Sequence, residues 1–260
     1  MLRPRIIPCL LVRRGGLVKT VRFEDSKYVG DPLNAVRIFN EKEVDELFVA
    51  DIDASVQGRD PDYNMIRNLA AECRMPLCYG GGVRTVKQVE QIISLGVEKV
   101  ALSSAAIRLP LLIPEAAKRV GSQSIVVVMD VKKVGLLRRY EVFTHNGTLG
   151  TGLGPVEFAK RSEDAGAGEI LINAIDRDGE MKGYDLDLID QVRDAVSLPI
   201  TAIGGAGSLA DMEALIRRYG IIGAAAGSLF VFKGKYRAVL INYPDRKYKD
   251  ALCASAMGDR

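Results

Sequence analysis

Tryptophan is absent from this 260-residue chain, and histidine occurs once, at His145. The four cysteines (Cys9, Cys73, Cys78 and Cys253) form no CxxC pair and no Cys/His grouping. That scarcity excludes the usual zinc-binding spacings, so no metal is expected, and no cofactor is expected either. Scattered thiols fit reduced cysteines in a cytoplasmic protein better than a disulfide framework. No apolar run reaches the roughly 18 residues of a membrane span. The N-terminus enters a strand-like segment directly, without a signal-peptide pattern. Charge of one sign is also lacking: 36 Lys and Arg stand against 33 Asp and Glu, a net +3 with no basic tract, which argues against a nucleic-acid surface. What the chain does have is apolar content of 48%, enough for a large core and too much for disorder.

Short apolar runs alternate with amphipathic stretches, the pattern of βα units on a parallel sheet. Strands are expected at 5–12, 46–53, 75–80, 98–103, 124–130, 169–176, 198–204 and 221–227. Helical patterns fall at 31–43, 61–72, 85–95, 109–119, 154–166, 185–195 and 208–218. Eight strands with seven crossovers suit a closed α/β structure, a (β/α)8 TIM barrel in one domain over 1–260, better than a doubly wound sheet. The 236–260 tail mixes β-branched residues with Pro244 and reads as a poor helix, so its structure stays open.

Internal similarity sharpens this reading. "ELFVADIDAS" at 46 matches "EILINAIDRD" at 169, an offset of 123, and "MPLCYGGGV" matches "LPITAIGGAG" at the same offset. "ALSSA" then matches "AAAGS" with about one extra residue in the second copy. Two duplicated half-barrels are expected, at about 1–122 and 123–235.

Barrel active sites lie at the C-terminal ends of the strands. There the first copy offers Asp51 and Asp53, Gly81 and Gly82, and Ser103 and Ser104. The second offers Asp176 and Asp178 with Gly179, then Gly204 and Gly205, then Gly227 and Ser228. Glycine lets a phosphate approach the backbone N–H groups, so two phosphate positions are expected on opposite sides of the mouth, although such loops also serve simply as tight turns. No histidine ends an expected strand, which leaves carboxylates for proton transfer. Asp130 closes the apolar run "SIVVVMD" and should project into the mouth. Cys9 reads as a small buried residue. Lys19 lies in a glycine-bounded connection over 15–32, a candidate lid.

"RIIPCL", "GGG" after strand three, "VVVMD" and "IDRDGEMKGYD" together resemble the HisF family, the cyclase subunit of imidazole glycerol phosphate synthase. The resemblance covers roughly 3–232. It implies two phosphate sites, a bisphosphate substrate and ammonia delivered by a HisH-like glutaminase bound at the N-terminal face of the barrel. It also implies a gate of charges at the barrel bottom, matched here by Arg5, Glu46, Lys99 and Glu169. Two acids and two bases could equally be a structural ion-pair plug.

Of the family's two acid/base aspartates, Asp130 matches the second, but Leu11 occupies the position of the first. Leucine cannot transfer a proton. "LLVRRGGLVKT" and "DIDASVQGRDPDYN" resemble a divergent HisF-like branch of surface-polysaccharide (lipopolysaccharide) biosynthesis. That branch implies ammonia supply for converting an acetamido group on a nucleotide-linked sugar to an acetamidine, with a separate ATP-dependent amidotransferase as a further partner. Two alternatives stand beside it. One is a true cyclase of histidine biosynthesis in which Asp51 or Asp53 replaces the missing carboxylate; the other is a scaffold that only activates the glutaminase.

Overall fold

The computed structural model describes residues 3–258. Its eight barrel strands are β1 (Arg5–Arg13), β2 (Leu47–Asp51), β3 (Leu77–Gly80), β4 (Lys99–Leu102), β5 (Ile125–Val134), β6 (Glu169–Ala174), β7 (Ile200–Ile203) and β8 (Gly223–Ala226). Neighbours pair in parallel in chain order, and β8 returns to β1 with Arg5 opposite Gly223, so the barrel is closed.

Helices α1 (Pro32–Glu41), α2 (Tyr63–Glu72), α3 (Val86–Ser94), α4 (Leu112–Val120), α5 (Pro155–Asp164), α6 (Leu186–Arg193) and α7 (Leu209–Tyr219) fill the seven expected crossovers. Their starts are written locally. Asp31 accepts from the Asn34 N–H at 2.9 Å, and Thr85/Gln88 and Ser208/Asp211 each close a capping box. Each helix turns an apolar stripe, such as Val36 and Phe39 or Val89 and Ile92, onto the outer face of the sheet.

The tail supplies the missing eighth helix, α8 (Arg246–Gly258), packed against α7. Propensity alone is weak there, but anchoring compensates. Asp245 caps the Tyr248 N–H at 2.8 Å, and buried Lys249 donates to Asp45 at 3.0 Å and to the Glu43 carbonyl at 2.6 Å.

The 15–32 connection, the candidate lid, is a β-hairpin. Its strands Gly16–Val21 and Glu24–Gly30 extend β1 antiparallel, with Leu11 opposite Val18. Gly15, Arg22 and Phe23 take positive φ (76°, 52° and 67°), the left-handed backbone that tight hairpin turns require. A second hairpin, Arg139–Thr144 with Leu149–Gly150, continues β5 beyond the barrel.

Inside the barrel, alternate strand residues face inward. Ile7, Cys9, Phe48, Cys78, Ala101, Val126, Val128, Leu171, Ile203 and Ala225 form an apolar column separate from the sheet–helix core. The two ends of this column carry the polar chemistry.

Candidate functional site

At the N-terminal end, four charged residues begin β1, β4 and β6 or precede β2, and they close a ring. Arg5 Nη2 lies 2.7 Å from Glu169 Oε1, and its Nη1 contacts Glu46. Lys99 Nζ lies 3.0 Å from Glu46 Oε1 and 2.8 Å from Glu169 Oε2, so each acid bridges both bases. Thr201 donates to Glu169 at 2.5 Å. Both glutamates are only 5% exposed. Burial pushes the Glu169 carboxyl up, but Arg5 and Lys99 outweigh it and hold the carboxyl below its usual range. Gly223 completes the ring's wall, since a Cβ there would collide with Thr201 Oγ1.

At the C-terminal end, a cavity opens among Leu11, Lys19, Asp130, His145, Asn173 and Asp178. Asp130 reaches it from β5, as its place at the end of the apolar run requires. Asn173 Nδ2 donates to its Oδ1 at 2.9 Å and Ser103 Oγ to its Oδ2 at 3.4 Å. Burial pushes its carboxyl up to about 6, against those two hydrogen bonds and with help from the charge of Asp178. A carboxyl poised there can both give and take a proton near neutral pH. Asp178 enters from the loop after β6, accepts from Thr20 Oγ1 at 2.8 Å, and is likewise raised by burial.

Leu11 projects into the same cavity from β1 and packs on the apolar column beside Ala50. Cys9, one layer deeper, is buried with its thiol pushed up to about 11 by burial, which suits a packing residue rather than a nucleophile.

Lys19 comes from the hairpin and is 5% exposed, its Nζ donating to the Cys9 carbonyl. Burial holds its pKa below the ordinary value. A Cβ on Gly227 would lie 2.6 Å from that Nζ, so glycine is what admits the lysine. Lys19, Gly227 and Ser228 therefore present a buried cation beside backbone at the start of the short helix Ser228–Val231, an arrangement able to hold an anion. Across the cavity Gly81, Gly82, Ser103 and Ser104 line the opposite wall. Gly81 has φ 116°, and a Cβ on it would strike the Asp51 carbonyl; Gly204 has φ 94° and makes the same approach to the Ala174 carbonyl. Asp51 and Ala174 stand 123 positions apart, as do the two glycines, so the two close approaches occupy matching places in the sequence repeat.

Several expected residues do not meet the cavity as free groups. Asp51 lines it, but its carboxylate caps the N–H groups of Asp53 and Ala54 at 3.1 Å and pairs with Arg59 at 3.3 Å. Asp53 pairs with Arg13 at 3.1 Å. Neither presents a free carboxylate to the cavity, against the expectation that one of them would serve as a second acid/base group. Asp176 turns away to accept the Lys133 N–H at 2.9 Å. Gly179 packs under the hairpin, where a Cβ would strike the Thr20 carbonyl, and Gly204 and Gly205 do not line the cavity but pack on the backbone of Ala174 and Gly183.

His145 is the residue that strand-end reasoning missed. It sits with φ 53° in the turn after Arg139–Thr144, its Nδ1 3.0 Å from Thr144 Oγ1, and it faces the cavity beside Asn146. The turn packs against the first hairpin, since a Cβ on Gly147 would come within 3.3 Å of Phe23. The two hairpins thus roof the mouth together.

A family model described as "Histidine biosynthesis protein" matches residues 5–237, nearly the whole barrel. The chain belongs to the histidine biosynthesis protein family. Within that family its relatives are HisF-like. A Leptospira interrogans protein is 58% identical over 252 residues, covering 97% of this chain and 99% of its own. A Vibrio vulnificus protein is 57% identical over 249 residues, covering 96% of both chains. A Pseudomonas aeruginosa protein is 53% identical over 245 residues, covering 94% of this chain and 97% of its own. Each of the three is named "Putative imidazole glycerol phosphate synthase subunit", with the suffix HisF, hisF3 and hisF2 respectively. This HisF-like chain aligns over nearly the whole length of those subunits, and its cavity lies at the C-terminal face, where TIM-barrel enzymes carry their active sites.

Proposed function

We propose that this HisF-like chain receives ammonia from a HisH-like glutaminase bound at the N-terminal face and supports its transfer to a phosphorylated or nucleotide-linked sugar, turning an acetamido group into an acetamidine. That conversion replaces the amide oxygen with nitrogen. Expelling the oxygen requires activation, which a separate ATP-dependent amidotransferase would supply. The observation that carries this reading is the contrast between the two barrel ends. The ring of Arg5, Glu46, Lys99 and Glu169 is complete, while Leu11 leaves β1 without a carboxylate at the mouth.

In this reading Arg5, Glu46, Lys99 and Glu169 are the ammonia gate and Asp130 is the retained proton-transfer group. Lys19 with Gly227 and Ser228 holds one phosphate, backed by the turn at Gly204 and Gly205 and by the loop carrying Asp178 and Gly179. Gly81, Gly82, Ser103 and Ser104, braced by Asp51, hold the other.

A true cyclase of histidine biosynthesis is the second reading. It draws support from the relatives' names and from Asp178, a second carboxyl in the cavity whose pKa burial raises. One assay separates the two: the purified chain incubated with the bisphosphate cyclase substrate and ammonium chloride. The amidination reading expects turnover lower than an ordinary cyclase by the 10²–10⁴-fold typical of a lost acid or base. Cyclase-level turnover that collapses in Asp178→Asn would overturn it in favour of the second reading.

A further inference from the structure

We propose that the C-terminal face of the barrel carries a membrane-contact surface for anionic lipid, built from two hairpins beside the mouth. The first is the turn beyond β5, "KKVGLLRRY" (132–140). Gly135 and Arg138 take positive φ (68° and 48°) and fold the tip back tightly, which leaves Leu136 101% and Leu137 74% exposed. Lys132, Lys133, Arg138 and Arg139 flank the tip on both strands, and no carboxylate lies within the segment. The second hairpin, Phe232–Lys233 with Ala238–Val239, follows the short helix after β8. It carries Lys233, Lys235 and Arg237, again without a carboxylate, and exposes Tyr236 at 87% together with Val239 and Leu240. Both hairpins continue from strand ends that line the cavity, through Asp130 on one side and through Gly227 and Ser228 on the other.

The two segments hold seven cations and no carboxylate of their own, although Asp185, Asp187 and Asp190 lie beside the base of the first. The apolar side chains project from convex tips rather than lining a groove. A convex leucine pair with cations set back along the ribbon matches the layering of a bilayer surface: acyl boundary for the leucines, headgroups for the ammonium and guanidinium groups, and the interfacial zone for a tyrosine. A pocketed protein partner would need a matching cleft for each tip, and lipid needs none. Lys133 is partly engaged with Asp185 at 3.3 Å and Lys132 lies over the Phe143 ring, which leaves Arg138 and Arg139 as the main headgroup contacts of the first hairpin.

The absence of tryptophan gives a direct test. Leu137→Trp places a single indole at the tip of the full-length chain. The variant is mixed with vesicles of phosphatidylcholine and phosphatidylglycerol, and in parallel with vesicles of phosphatidylcholine alone. The expected result is a blue-shifted emission and sedimentation with the anionic vesicles only, weakened about tenfold by Arg138→Gln/Arg139→Gln and by added salt. In the otherwise unmodified chain, Leu136→Ser/Leu137→Ser should abolish sedimentation while leaving the melting temperature unchanged. Failure to bind either vesicle, or binding indifferent to the two leucines, overturns the proposal. So does an indole that shifts only when a protein partner is added, since the surface is then a protein interface.

Discussion

Asp130 shows how much a single side chain's surroundings decide. Its pKa is raised, so the neutral form is the one the fold favours. The associated stability is present below the unfolded value of 3.8 and is lost as pH rises through about 6. At pH 8 the native chain therefore holds a carboxylate in a poorly hydrated site. Asp130→Asn should raise stability by about 1–2 kcal/mol at pH 8, discounted from the full shift because the carboxyl keeps some contact with solvent, and by nearly nothing at pH 4. Urea midpoints of the two proteins across that range check the sign; a gain that grows toward acid would refute it. Asp130 was legible in the sequence because an uninterrupted apolar run delivers it to the barrel mouth. Asp51 and Asp176 carried the same signal and misled, because their partners are backbone N–H groups that no sequence pattern displays. His145 was illegible for the opposite reason: it belongs to a hairpin outside the eight-strand pattern.

At the scale of elements, the barrel strands and seven helices were readable because burial on both faces imposes continuous apolar runs and the caps are local. The two hairpins over the mouth and α8 were not. Their residues are mixed in character, and what fixes them is contact with the finished barrel. For α8 that contact is chiefly the Lys249–Asp45 pair, with both side chains about nine-tenths buried. Lys249→Met should cost about 2 kcal/mol, because Asp45 keeps its hydrogen bond from the Ile6 N–H and a longer pair with exposed Arg3 at 3.6 Å but loses its buried charge partner. A lowered urea midpoint with an unchanged slope is the expected signature; a lowered slope would mean that α8 detaches by itself.

At the scale of the molecule, the four-charge ring ties the starts of β1, β2, β4 and β6 together across the barrel bottom. Lys99→Met should destabilise the chain by about 3 kcal/mol at neutral pH, since the two buried glutamates would then share Arg5 alone. The sign with pH follows from Glu169, whose carboxyl the ring depresses. The ring's contribution is present above the ordinary value of 4.5 and is lost as pH falls through the depressed one. The difference between variant and parent should therefore narrow in acid. Adding Glu169→Gln to Lys99→Met should recover part of the loss, and thermal melts of the pair check both points. The ring's position was legible from charges that begin apolar strands, but its connectivity, each acid bound to both bases, was not.

The apolar column above this ring has a consequence for selectivity. An ion leaving the ring would shed its hydration shell among Ile7, Cys78, Ala101, Val126 and Ala225, where no side chain offers an oxygen in exchange. A small neutral molecule pays no such penalty. In the proposed ammonia-conduit reading the column would therefore discriminate by protonation state, favouring ammonia over ammonium, sodium or hydronium. On that reading an ammonium salt would feed the mouth from below only through its unprotonated fraction, which rises tenfold with each pH unit below the ammonium pKa.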